Sequence, residues 1–250
     1  GYRILVDWRQ AGDEPLLIAR MTPGVPVLTG ARRSLTGAAA LERFGADCLV
    51  LDDAFQHRAL HRDIDILLVD ATRPFGNGFL LPRGPLREAP ESIRRAHVVI
   101  LTGADRQVPE PPLIKTLSVP RFRGTHRPQA LVEGDTGRLR SLTELRGQRL
   151  CAFAGIGRPE AFRQTLAELG TQVTAFKAYP DHHPYSRSDL DRLLLLAGQS
   201  GTDRLLTTEK DGVRLAAFPD FLPKVLFLRT GMEIQPAGTF TELIFSRLAY

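Results

Sequence analysis

The stretch Asp47–Pro90, DCLVLDDAFQHRALHRDIDILLVDATRPFGNGFLLPRGPLREAP, decides how this chain is read. Its opening run, Asp47-Cys48-Leu49-Val50-Leu51, is apolar and short, as a buried strand is. Asp52 and Asp53 stand side by side at its end, followed by Phe55, Gln56 and His57. A second apolar run, Ile64–Val69, ends in Asp70. A loop dense in turn residues follows, Arg73-Pro74-Phe75-Gly76-Asn77-Gly78, and then Pro82-Arg83-Gly84-Pro85-Leu86-Arg87-Glu88. Adjacent carboxylates repel each other, so a strand that ends in two of them calls for a cation nearby. Phosphoryl-transfer proteins hold hydrated Mg2+ in this way. The plainer alternative is a strand-end aspartate capping a turn beside a solvated neighbour. Glu88 is a candidate third carboxylate and Arg87 a candidate phosphate fork, the alternative for both being surface ion pairs. Asn77, between two glycines, reads as a tight-turn residue.

Outward from that stretch, short apolar runs alternate with helical spacing. Asp13-Glu14-Pro15 before Leu16-Leu17-Ile18 reads as a helix start. Val25–Leu28 reads as a strand, and a helix capped at Ser34 or Thr36 ends at Gly45. Val98–Thr102 is a further continuous apolar strand. Pro109–Pro128 reads as a connector. Gln129–Glu133 and Arg138–Leu142 read as a two-stranded hinge ribbon around Gly134–Gly137. A second strand–turn–helix unit begins at Leu150, with later strands at Val173–Phe176, Leu205–Thr208 and Val225–Leu228 and a closing amphipathic helix, Phe240–Leu248. Such alternation predicts parallel sheets with crossover helices.

The 250 residues are 43% apolar, enough for a packed core. No apolar run reaches the roughly 20 residues of a membrane span. The formal charge of +5 and pI of 9.6 come from arginine far more than lysine, spread without a basic tail. Nucleic acid is not expected as a partner, since neither a nucleic-acid motif nor basic–aromatic interleaving is present. Cys48 and Cys151 both sit in apolar runs and are expected to be buried thiols. Adjacent His182 and His183 lack the companions of a zinc site. A histidine paired with a distant carboxylate, which activates a hydroxyl, is the better reading. None of the lysines, Lys115, Lys177, Lys210 and Lys224, follows a glycine, so the GxxxxGK[ST] loop that cradles nucleotide phosphates is not in this sequence.

The block Asp52–Glu88 closely resembles the tetraacyldisaccharide 4'-kinase (lipid A 4'-kinase) family. So do GDEP at Gly12–Pro15, FAGIG at Phe153–Gly157, PDHHPY at Pro180–Tyr185 and TEKD at Thr208–Asp211. Order and spacing match over nearly the whole chain. The resemblance implies an α/β fold: a P-loop-NTPase-like parallel-sheet domain and a smaller α/β domain joined by a two-stranded hinge. The expected bounds are 1–120 for the first domain, 121–235 for the hinge ribbon and second domain, and 236–250 for a helix packing back on the first. It implies transfer of the ATP γ-phosphate to the 4'-hydroxyl of a tetraacylated glucosamine disaccharide 1-phosphate, with ATP and Mg2+, at the cytoplasmic face of the bacterial inner membrane. By motif, Asp13 is the implied catalytic carboxylate, helped by His182 or His183. Asp52, Asp53 and Glu88 are the implied Mg2+ carboxylates, and Arg87 and Gln56 nearby nucleotide-side groups. A site in the cleft between the domains is expected. Ala54, Arg158 and Ala89 depart from the family pattern. Gly1-Tyr2-Arg3 resembles the remnant of an Arg-Gly-Tyr motif, and the phosphate-cradling loop is expected before residue 1, making this an N-terminally incomplete copy. The alternative is a non-catalytic lipid- or nucleotide-binding remnant of the same fold.

Overall fold

The computed structural model describes residues 3–103 and 110–248. Gly1 and Tyr2 of the Arg-Gly-Tyr resemblance, and Pro109 at the head of the expected connector, lie outside the described residues. The chain forms two compact units. One is Gly1–Gly45 with Pro128–Thr230, the other Ala46–Arg127 with Gly231–Tyr250. Residues 1–45 thus fold with the later α/β unit, where the sequence reading groups them with 46–120. The physical reason is buried charge: Asp13 is committed to Arg214, as shown below.

The first segment is helical: α1 (Trp8–Ala11), α2 (Asp13–Met21) and α3 (Arg33–Phe44). Asp7 caps α1 by accepting from the backbone of Arg9 and Gln10. Gly45 ends α3 in the left-handed conformation, φ 61°. The strand expected at Val25–Leu28 is irregular, and so is the one at Cys48–Leu51. Val50 is 95% exposed and Cys48 is exposed. An apolar run becomes a strand only when a neighbour takes up its backbone groups, and among the described residues neither segment has one.

In the unit holding residues 46–127, β1 (Ile66–Asp70) and β2 (Val98–Thr102) pair in parallel, and β2 pairs in parallel with the start of β3 (Arg121–Glu133). A short helix, α4 (Pro112–Lys115), and β3 replace most of the expected connector. Opposite faces of β2 feed two clusters. Val99 and Leu101 pack with Ile93, Ala96 and Ile114, while Val98 and Ile100 pack with Phe122 and, from the C-terminal helix, Phe240 and Leu243.

In the other unit, β4 (Leu139–Arg140) runs antiparallel to the end of β3. β5 (Arg149–Ala154), α5 (Pro159–Glu168), β6 (Gln172–Ala178), α6 (Arg187–Gln199), β7 (Leu205–Thr208), α7 (Glu209–Leu215) and β8 (Val225–Gln235) follow, and α8 (Ala237–Leu248) is the last element among the described residues. β5 lies between β6 and β7, and β7 pairs with β8, all in parallel. From Leu150 to Ala154 every β5 residue is buried, because both faces are covered. Cys151 and Phe153 meet Leu190 and Leu193 of α6. Leu150, Ala152 and Ala154 meet Phe162 and Leu166 of α5. The chain passes from one unit to the other within β3 and again within β8. The ribbon expected as a hinge, residues 129–142, lies with the unit that holds β5. The architecture is mixed α/β with mostly parallel pairing.

Candidate active site

Asp13 opens α2 behind Gly12, whose φ of 89° is open to glycine and costly for other residues. A first-turn acid suits a helix N-terminus, yet this one is only 4% exposed. The loop after β6 brings His182 to it: Nδ1 lies 3.0 Å from both Asp13 carboxylate oxygens. His182 adopts φ 57°, and its backbone N–H donates to the Gly155 carbonyl and to Asp181 Oδ1. Lys210 reaches the other ring nitrogen, Nε2, at 3.5 Å while holding Glu14 at 2.8 Å. An ammonium can only donate. The Asp13 carboxylate only accepts, which places a proton on Nδ1, while Nε2 stands between the Lys210 ammonium and Asp181 Oδ2, 3.7 Å away. His183 goes elsewhere. Its Nε2 is 3.2 Å from Asp189 Oδ2, and its ring stacks on Tyr179 at 4.5 Å. Burial, with a smaller push from Asp189, raises the Tyr179 phenol to about 12.

Beneath Asp13 lies a buried charge network. Arg214, on α7, donates through Nη1 to Asp13 and through Nη2 to Asp211 and, at 2.8 Å, to the Gly155 carbonyl. Asp211 is wholly buried. Its Oδ1 also accepts from Gly155 N–H at 3.1 Å and the Tyr185 hydroxyl at 2.8 Å, and its Oδ2 from the hydroxyls of Thr207 at 3.1 Å and Thr208 at 2.7 Å. Burial first, then the neighbouring Asp211 charge, pushes the Tyr185 phenol far up, so it stays a donor.

In the other unit, Asp52 and Asp53 are exposed in the bend that follows the irregular 46–51 segment. Asp53 has φ 46°. Arg87 Nη1 donates to both its carboxylate oxygens at 2.8 Å. Gln56 is exposed in the next turn. Glu88 is drawn away to Arg95, 2.7 Å distant at the end of the 3₁₀ turn Pro90–Arg95. Partial burial raises its pKa, but hydrogen bonds from Arg95 and Ser92 outweigh that and hold the carboxyl below its usual range. The loop between is built on Asn77, which accepts from Phe79 N–H at 3.1 Å and donates to the Arg83 carbonyl at 3.0 Å. It does more than permit the turn. Gly84 is required there, since a Cβ would run into Asn77 Oδ1 and the Phe79 carbonyl.

A family model described as tetraacyldisaccharide-1-P 4'-kinase matches residues 3–249. The tetraacyldisaccharide 4'-kinase of Syntrophus aciditrophicus (strain SB) is 48% identical over 99% of this chain and 70% of its own length. That of Anaeromyxobacter dehalogenans (strain 2CP-C) is 47% identical over 86% of this chain and 58% of its own. A crystal structure of LpxK from Aquifex aeolicus in complex with ATP superposes with a TM-score of 0.79 at 31% identity, covering 98% of this chain and 71% of that one. The chain belongs to the tetraacyldisaccharide 4'-kinase family. It spans roughly three-fifths to seven-tenths of the length of these relatives.

For this family member the resemblance read from the motifs holds, and the geometry refines the residues attached to it. Asp13 and His182 are together, and Asp53 and Arg87 are together. Glu88, of the expected three-carboxylate metal set, pairs with Arg95. Among the described residues no group of three or more His, Cys, Asp or Glu is placed to hold a metal. Asp52 and Asp53 remain a fit for Mg2+ by donor chemistry: adjacent, exposed and all-oxygen, with Mg2+ needing only one or two carboxylates beside phosphate and water. Sequence reasoning attached no role to Arg214, Asp211, Lys210 or Glu14. Arg214 and Asp211 lie in the buried run Asp211–Leu215, where charges are tolerable only when partnered, but the sequence shows the charges without the burial.

Proposed function

We propose that this protein is an ATP-dependent kinase that phosphorylates the 4'-hydroxyl of a tetraacylated glucosamine disaccharide 1-phosphate. Family membership supports the reaction class. The observation that carries the reading to residues is the pairing of His182 Nδ1 with both oxygens of a buried Asp13. Asp13 holds the imidazole through Nδ1–H, and the Nε2 lone pair takes the proton of the attacking hydroxyl once the Lys210 ammonium, 3.5 Å away, gives it up. The Asp13 charge steadies the imidazolium that results. His183, engaged with Asp189, supports the loop.

Asp52 and Asp53 are the proposed Mg2+ ligands, and Arg87 and Gln56 the proposed groups on the nucleotide side. Bound Mg2+ would draw charge from the transferring phosphate oxygens. Arg87 supplies a planar fork suited to a phosphate oxygen once it leaves Asp53. A lipid acceptor places the enzyme at a membrane surface, and the family's substrate class makes that the cytoplasmic face of the bacterial inner membrane. Among the described residues no helix is long and apolar enough to cross a bilayer, in keeping with peripheral attachment.

The test is transfer of labelled γ-phosphate from ATP to the disaccharide lipid in detergent micelles by the natural protein. Label on the 4'-position, dependent on Mg2+ and lost in Asp13→Asn, is expected. Nucleotide binding without any transfer would favour the non-catalytic remnant instead.

A further inference from the structure

The network under Asp13 buries three charged side chains together. Asp13, Arg214 and Asp211 come from two helices, α2 and α7, that pack on each other. Asp13 is 4% exposed, Arg214 1% and Asp211 0%. Buried ionic clusters are often no more stabilising than apolar side chains of the same volume. This one also strands a polar atom, since Arg214 Nε is buried with no hydrogen-bond partner. What the arrangement achieves is direction. Asp211 is gripped from five sides, by Gly155 N–H, Tyr185, Thr207, Thr208 and Arg214. It fixes Arg214 Nη2, which the Gly155 carbonyl fixes again. The rigid fork then leaves Nη1 aimed at Asp13 Oδ2, on the oxygen pair that faces His182.

We propose that Arg214, locked by Asp211, is the positioning residue that sets the Asp13 carboxylate against His182. The inference rests on the reading of Asp13 and His182 as the hydroxyl-activating pair. Two carboxylates and one guanidinium leave the cluster with one net negative charge, which a proton arriving on His182 neutralises. The charge that develops in the transition state therefore meets a preorganised partner. Lysine cannot replace this arginine, because a single ammonium cannot span Asp13, Asp211 and the Gly155 carbonyl in one planar fork.

The experiment is a kinetic cycle on the natural protein: Arg214→Lys, Asp13→Asn and the double variant, with far-UV circular dichroism as the folding control. Arg214→Lys is expected to lower kcat about a hundred-fold with KM little changed, as misplacement of a reacting group does. On the Asp13→Asn background it is expected to cost nothing further, because both changes remove the same act. A purely structural arginine would lower kcat again in the double variant, and that additivity overturns the inference, as does wild-type kcat in Arg214→Lys. If Arg214→Lys does not fold, Tyr185→Phe decides. It keeps the ring and removes one donor from Asp211, so kcat is expected to fall about ten-fold at constant KM, and an unchanged kcat overturns the inference. Wild-type turnover in Asp13→Asn itself would instead remove the catalytic reading on which this one stands, and is told apart by that variant alone.

Discussion

His182 Nδ1 stands 3.0 Å from both carboxylate oxygens of Asp13, across 169 residues of sequence. The loop reaches that position at φ 57°, and the other non-glycine residue with positive φ among those described is Asp53, at 46°. Such conformations cost on the order of 1–3 kcal/mol and collect where function over-determines the backbone. Both fall on residues that the motifs singled out.

If the pair activates the hydroxyl, Asp13→Asn and His182→Ala should each lower kcat by about 10²–10⁴-fold, the usual worth of a positioned general base. KM should move little. His183→Ala should instead cost stability of about 1 kcal/mol, through its bond to Asp189, and leave kcat near wild type. Steady-state kinetics beside thermal unfolding separates the two histidines; equal loss of kcat in both would sink the assignment.

The Asp53–Arg87 pair is exposed, at 61% and 57% of the side chains, so it adds almost nothing to stability. Asp53→Ala should unfold at the wild-type temperature. Its cost should appear as a raised Mg2+ requirement for turnover, read by titrating Mg2+ at fixed ATP. A lowered unfolding temperature with an unchanged Mg2+ curve would make Asp53 a structural residue.

How much of this was legible follows from which interactions are local. Leu150–Ala154 announces a strand buried on both faces, and Ser186 with Asp189 forms the capping box that starts α6. The family motifs marked Asp13 and the histidine pair. Choosing His182 over His183 needed the left-handed turn that separates the two rings, and no spacing rule contains it. Cys48–Leu51 reads as a strand for the same reason as Leu150–Ala154, yet hydrophobicity does not reveal whether a neighbouring strand is there. Arg214 was hidden by its own partners, because its pairing with Asp13 spans 201 residues.

Leu166, on the inner face of α5, is wholly buried. Leu166→Ala should cost about 2–5 kcal/mol in denaturant unfolding, the transfer term plus the cavity left behind. Leu195, on α6, is 62% exposed, and Leu195→Ala should stay within about 0.5 kcal/mol. Matching losses would mean that the helix faces are misassigned.

The thiols should separate just as clearly. Cys48 is exposed, whereas burial pushes the Cys151 thiol up to about 11. At neutral pH a thiol reagent should modify Cys48 rapidly in the native protein and reach Cys151 only after denaturant is added. Two fast thiols in the native state would contradict the packing of β5.

Acid stability carries a signature at the β3–β4 turn. Hydrogen bonds from Arg138, then Thr136, hold the Glu133 carboxyl down at about 2 against an ordinary value of 4.5, with nearby Arg140 adding charge. A carboxyl whose folded value lies below its unfolded one binds its proton more readily when unfolded. Its contribution is therefore fully present above about pH 4.5 and is lost as pH falls toward 2. Glu133→Gln cannot ionise, so its stability deficit against wild type should be constant above that window and close within it. Urea midpoints measured from pH 6 down to pH 2 read this directly. The group lies at the surface, where solvent screens it, so the deficit should be small and should shrink further in high salt. A deficit that widens as pH falls would mean that the turn is held by something other than its ionised carboxylate.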